Sequence, residues 1–177
     1  VKSSAVLGVI LAIVVLFVFL RRMGTTLIVS LAIPISIVAT FNLMFFNGLT
    51  LNIMTLGGLA LGAGMLVDNA IVVIESIFRN QEKGLSIKEA AINGTAEVAN
   101  AVIASTLTTI VVFLPIVYLH GASGELFKDQ AWTVTFSLVS SLFVAILVIP
   151  MLYIQLSGKK IKLEEVKSIR IAGYSRV

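Results

Sequence analysis

An acid and an amide stand side by side inside an apolar run: Asp68 and Asn69 in GAGMLVDNAIVVIES, residues 62–76. A carboxyl at the centre of a membrane helix costs about 2.5–3.5 kcal/mol on insertion scales, so one that is kept there faces a bundle interior and does work. Desolvation favours its neutral form, and a neighbouring cation favours its charged form. Where the two balance near the working pH, the group can carry a proton. Asp68 is the candidate for that chemistry; the alternative is an acid hydrogen-bonded for helix packing alone. Asn69 donates and accepts hydrogen bonds without titrating. Beside Asp68 in a relay it would orient a neighbour or a water; helix–helix bonding is its other reading.

Other groups extend the site. Glu75 would snorkel to the interface or line the inner end of a proton path. The hydroxyls of Ser105, Thr106, Thr108 and Thr109 would bond helix carbonyls or a neighbouring helix, with Thr106 and Thr109 as path candidates. Gly57, Leu61, Gly64, Asp68, Ile71 and Glu75 share one helical face, and Gly58 and Gly62 form a GxxxG on the adjacent stripe. These four glycines are expected to pack helices closely and to turn Asp68 toward a partner. Pro34, Pro115 and Pro150 are the candidate kinks. With no cysteine and one histidine, His120, to which no role is assigned, neither a metal site nor a cofactor is expected. P-loop, GxGxxG and GxSxG motifs are absent, so enzyme chemistry finds no support.

The elements that must position these groups are membrane helices. The chain has 177 residues, 58% apolar and 12% charged, with a mean hydropathy of +1.07. Five apolar spans are read at about 3–20, 25–46, 51–77, 96–119 and 130–156, each near the roughly 20 residues that cross the hydrocarbon core. Backbone groups in lipid must bond internally, which makes the spans helical, and the alternating ten-residue segments of a membrane barrel are missing. The fold class is therefore all-α, a polytopic transmembrane bundle over 1–157, followed by a basic tail or linker over 158–177. In the longest loop, Ser86 and Glu89 have capping-box spacing and Asn93-Gly94 reads as a stop. A short surface helix with Ile87, Ala91 and Ile92 on the membrane is expected between them.

Charge sets the orientation. Arg21, Arg22, Arg79, Lys83, Lys88 and the six basic residues after Gly158 fall on one side; only Lys2 and Lys128 fall on the other. That bias puts the N-terminus of the chain outside and the C-terminus in the cytoplasm. Basic residues in short loops also speak for membrane topology and against nucleic acid as partner. No Lys or Arg lies inside a span, so the countercharge for Asp68 is expected from elsewhere, or Asp68 is protonated at rest. An extracytoplasmic start directly abutting a helix leads us to expect a piece of a larger membrane protein.

GMLVDNAIVVIESIFR resembles the fourth transmembrane helix of the resistance-nodulation-division (RND) exporters, with their G-x-x-V-D-[DN]-[AS]-I-V-V-x-E pattern. The stretches LRRMGTTLIVSLAIPISIVATFNLMFFNGLTLNIMTLGGLALG, VVFLPIVYLHGASGELFKD and VIPMLYIQL are similar to the neighbouring helices, so the resemblance covers about 3–157. It implies helices two to six of the first half of a proton-driven exporter in the bacterial inner membrane, a secondary active antiporter rather than an enzyme. It also implies two six-helix halves, large extracytoplasmic domains, a homotrimer, and a periplasmic adaptor with an outer-membrane channel as partners besides the lipid bilayer. Asp68 matches the family's proton-carrying acid, and Asn69 matches a position that is a second Asp in many multidrug members. The family's partner lysine lies in the other half. Asn69, rather than a small residue, leans toward hydrophobic or amphiphilic cargo. A protein-translocation accessory or a lipid exporter of the same superfamily is the first alternative; a non-transporting scaffold or sensor is the second.

Overall fold

The computed structural model describes residues 23–118 and 121–157; span one, the basic tail and His120 lie outside them. Four helices follow one another: α1 (Met23–Phe46), α2 (Ile53–Glu82), α3 (Ile87–Val117) and α4 (Ala122–Phe143). The last continues through a wide π turn (Val144–Val148) into helical backbone up to residue 157. All four are long and apolar enough to cross a membrane. Alternating direction makes α2 antiparallel to α1 and α3 and parallel to α4.

Local chemistry ends and starts these helices where the spans change. Leu49 N–H bonds Met44 O and Gly48 N–H bonds Phe45 O, with Gly48 at φ +69°, a left-handed stop that closes α1. α2 opens on a reciprocal capping box: Asn52 Oδ1 accepts Thr55 N–H at 2.9 Å, and Thr55 Oγ1 accepts Asn52 N–H at 2.8 Å. Asn52→Ala should lower stability by about 1 kcal/mol. A lower unfolding midpoint in detergent, with faster hydrogen exchange at Thr55, is the expected reading; an unchanged midpoint would refute the cap's contribution.

The core lies toward the end of the bundle where α2 meets α3. Val73, Ile74 and Ile77 of α2 are fully buried among Ile28, Val29 and Ala32 of α1, Ala91 and Val102 of α3, and Ile149 and Tyr153. Tyr153 donates its hydroxyl to Gln81 Oε1, joining the end of the fourth span to that of α2. Arg79, Lys83 and Lys88 cluster at this end, and Lys128 sits at the opposite one.

One expectation is corrected. The long loop holds no separate surface helix. Ser86 does cap, bonding Glu89 reciprocally, but the helix it opens runs unbroken through Asn93-Gly94 into the fourth span. Of Ile87, Ala91 and Ile92 only Ile92 is exposed, and Ala90 and Ala91 are buried, so their side of this stretch faces α2. Pro34 lies inside α1 and Pro115 inside α3, and each helix continues past its proline. Before Pro150 the ladder changes instead. Proline has no N–H, and its ring crowds the carbonyl four residues back. The preceding turn widens, and Ile149 N–H bonds Val144 O, five residues back.

Candidate functional site

Two kinds of residue, glycine and asparagine, mark the face of α2 that meets α4. Gly58 lies against Gln130 O and Thr133 of α4, where an added Cβ would stand 2.8 Å and 3.1 Å away. Gly62 lies against Ser137, whose Cβ would be 2.4 Å from one. Two glycines one turn apart thus let α4 approach to backbone distance. Two turns further on, the same side of α2 carries Asn69, which is 9% exposed. Its Nδ2 donates to Thr106 Oγ1 of α3 at 3.1 Å and to Ser141 Oγ of α4 at 3.4 Å. One amide therefore joins three helices at a buried node, where Thr106 is 3% and Ser141 1% exposed.

Asp68 points elsewhere. Successive helical residues are about 100° apart, so when Asn69 faces the node its neighbour cannot. Asp68 is exposed, on a face shared with Gly57, Leu61, Gly64 and Glu75. A Cβ on Gly64 would meet nothing within 4 Å, and one on Gly57 only Gln130 Nε2 at 4.0 Å. Among the described residues no helix covers this face. Asp68 is the sixteenth of the thirty residues of α2, which puts it at mid-span. Glu75 shares its side two turns away, about 10 Å along the axis.

The structure thus sorts the sequence candidates into two groups. Asn69 and Thr106 come together; Gly58 and Gly62 make the packing seam. Asp68, Glu75, Gly57 and Gly64 line the open face. Thr109 joins neither group, since its hydroxyl donates to Ser105 O of its own helix at 3.0 Å. Thr108 and Ser105 also bond backbone carbonyls of α3. Sequence reading missed Ser141. The signal was available: Thr133, Ser137 and Ser141 recur every four residues on one side of α4, all buried, the first two against the glycine seam and Ser141 against Asn69.

The node makes a prediction of its own. Asn69→Ala should cost about 1 kcal/mol, because the orphaned hydroxyls can turn back to their own helix carbonyls. A double-mutant cycle with Ser141→Ala should return a coupling of about 0.6 kcal/mol. Strict additivity of the two substitutions would mean the hydrogen bond contributes nothing.

The model of the AcrB/AcrD/AcrF family matches residues 1–170. The chain belongs to the AcrB/AcrD/AcrF family. Similar proteins include the multidrug resistance protein MdtC of Pectobacterium atrosepticum, 38% identical over 152 residues that make up 86% of this chain and 15% of that protein. MdtC of Proteus mirabilis is 40% identical over 136 residues, 77% of this chain and 13% of its own length. The chain thus spans about one seventh of these relatives. Membership in this RND family accords with the all-helical membrane bundle.

Proposed function

We propose that the protein is part of the proton-translocating bundle of an RND exporter, one that moves hydrophobic or amphiphilic compounds across the bacterial inner membrane in exchange for protons. One observation carries the reading: a mid-span acid left open by its own helices, adjoining an amide tied into two of them. The relatives' name, multidrug resistance protein, supports the cargo class.

The arrangement couples charge to movement. A charged Asp68 pairs with a cation from another part of the transporter, because an uncompensated carboxylate in hydrocarbon is too costly. Protonation neutralises Asp68 and releases that cation. α2 then shifts against the partner, and the Asn69 node and the Gly58–Gly62 seam oblige α3 and α4 to move with it. The motion passes to extracytoplasmic domains that hold the cargo. Asn69 does not titrate, so this segment takes up its proton at Asp68 with the node unaltered. The working assembly is a homotrimer joined to a periplasmic adaptor and an outer-membrane channel, with the N-terminus of this chain outside and its C-terminus in the cytoplasm.

Full-length transporter in proteoliposomes tests the reading. An imposed pH gradient should drive an amphiphilic dye across the membrane and collapse as dye moves, and a protonophore should stop both. Dye movement indifferent to the gradient would overturn proton coupling.

A further inference from the structure

At the opposite end of the bundle from the hydrophobic core, a cleft of about 300 Å³ opens between the α1–α2 turn and the first turns of α4. Asn47, Leu49, Lys128, Asp129, Trp132 and Phe136 line it. That volume is at the lower end of small-ligand sites. Its walls divide by chemistry. Trp132, the single tryptophan of the chain, stacks on Phe136 with centroids 5.6 Å apart. Lys128 is exposed. Asp129 is half-buried and held in place by Asn52, whose Nδ2 donates to Asp129 Oδ2 at 3.3 Å. A cation and an anion thus adjoin an aromatic wall.

Its depth in the membrane follows from the helices. α1 stops at Phe46, α2 starts at Ile53, and the apolar part of α4 starts at Phe127. The cleft therefore lies where hydrocarbon gives way to headgroups, the level at which tryptophan is favoured. Phe45 and Phe46, which end α1 just before the turn, are about four-fifths exposed.

We propose that this cleft binds a zwitterionic amino-phospholipid from the leaflet on the side of the α1–α2 turn. Lys128 takes the phosphate, Asp129 takes the ammonium, and an acyl chain leaves along Trp132 and Phe136. Charge selects the occupant. An anionic lipid would satisfy Lys128 but set its charge beside Asp129 with no ammonium to compensate. The ammonium of a zwitterionic headgroup answers Asp129 directly, and the carboxylate has acceptor sites beyond the one Asn52 uses.

The test uses the full-length transporter in nanodiscs of mixed phosphatidylethanolamine and phosphatidylglycerol, with a photoactivatable phosphatidylethanolamine probe. Labelling should map to peptides covering residues 47–52 and 128–136. Unlabelled phosphatidylethanolamine should compete and phosphatidylglycerol should not. Lys128→Gln and Asp129→Asn should each reduce labelling about threefold, the range of a partly exposed ion pair. Should Asp129→Asn unfold the protein, Lys128→Gln decides alone, its side chain being exposed. Equal labelling by a phosphatidylglycerol probe, labelling outside these peptides, or labelling indifferent to Lys128→Gln would each overturn the site. Failure here leaves proton coupling untouched, since no residue of the cleft belongs to the Asp68 face.

Discussion

If Asp68 carries the proton as proposed, Asp68→Asn in the full-length transporter should reduce proton-driven export to background while the amount of protein in the membrane stays at the wild-type level. The substitution exchanges one carboxyl oxygen for an amide nitrogen, so shape and packing change little. What disappears is the charged state, and with it any proton uptake at this position. Insertion is not impaired, because an amide in hydrocarbon is no costlier than a carboxylate. The side chain is exposed within the chain, so the fold of α1 to α4 does not depend on it. A purely structural role predicts the opposite pattern, with lowered stability and export falling only in proportion to protein lost. Asp68→Glu separates the cases further. It restores a titrating group one methylene further out and should recover part of the export, with a displaced pH profile. Full export by Asp68→Asn would sink the proton-carrier reading, whatever the stability of the variant.

Much of this was legible in the sequence, for a plain reason. A membrane demands about 20 apolar residues per crossing, and the composition of the chain repeats that demand plainly. The Asp motif was equally plain, since an acid amid valines has no cheap explanation. Harder to read was which side of α2 faces which neighbour. Periodicity correctly puts Gly57, Gly64, Asp68 and Glu75 on one face and Gly58 and Gly62 on the next. It cannot tell which stripe meets a helix of the same chain. The structure gives that role to the Gly58, Gly62 and Asn69 side, because α4 offers small polar residues at the matching spacing: Thr133, Ser137 and Ser141. The π turn escaped for a related reason: a proline announces a disturbance in the ladder but not its form, which depends on the turn that absorbs it.

Gly94→Val should separate α2 from α3 and produce the largest loss of stability of any substitution considered for this bundle. Sequence logic reads Asn93-Gly94 as a helix stop, and in water that local preference is real. Packing overrides it. A Cβ at Gly94 would stand 2.5 Å from Ile77 Cα, 2.6 Å from Ile77 N and 2.9 Å from the Ser76 carbonyl carbon. All three are backbone atoms, so no side chain can rotate aside. To reach ordinary contact the helices must part by roughly 1 Å, where dispersion falls steeply. Parting strips Ala90, Ala91 and Ile77 of their neighbours and pulls Glu97 from Asn80 and Arg79, now 2.8 Å and 3.2 Å away. One added methyl, Gly94→Ala, already sets opposite effects against each other. Alanine gains about 1 kcal/mol of helix propensity, while overpacking costs about 1–3 kcal/mol. Because the obstacle is backbone, the upper part of that range applies and the net sign is destabilising. Valine adds bulk and loses the propensity gain. Asn93→Ala is the control. Asn93 is exposed, so replacing it should raise stability by a few tenths of a kcal/mol if the helix truly continues. Unfolding in detergent reads all three variants. A Gly94→Ala protein as stable as the parent would mean that α3 does not cross α2 at this glycine, and the unbroken helix through Asn93-Gly94 would lose its physical cause.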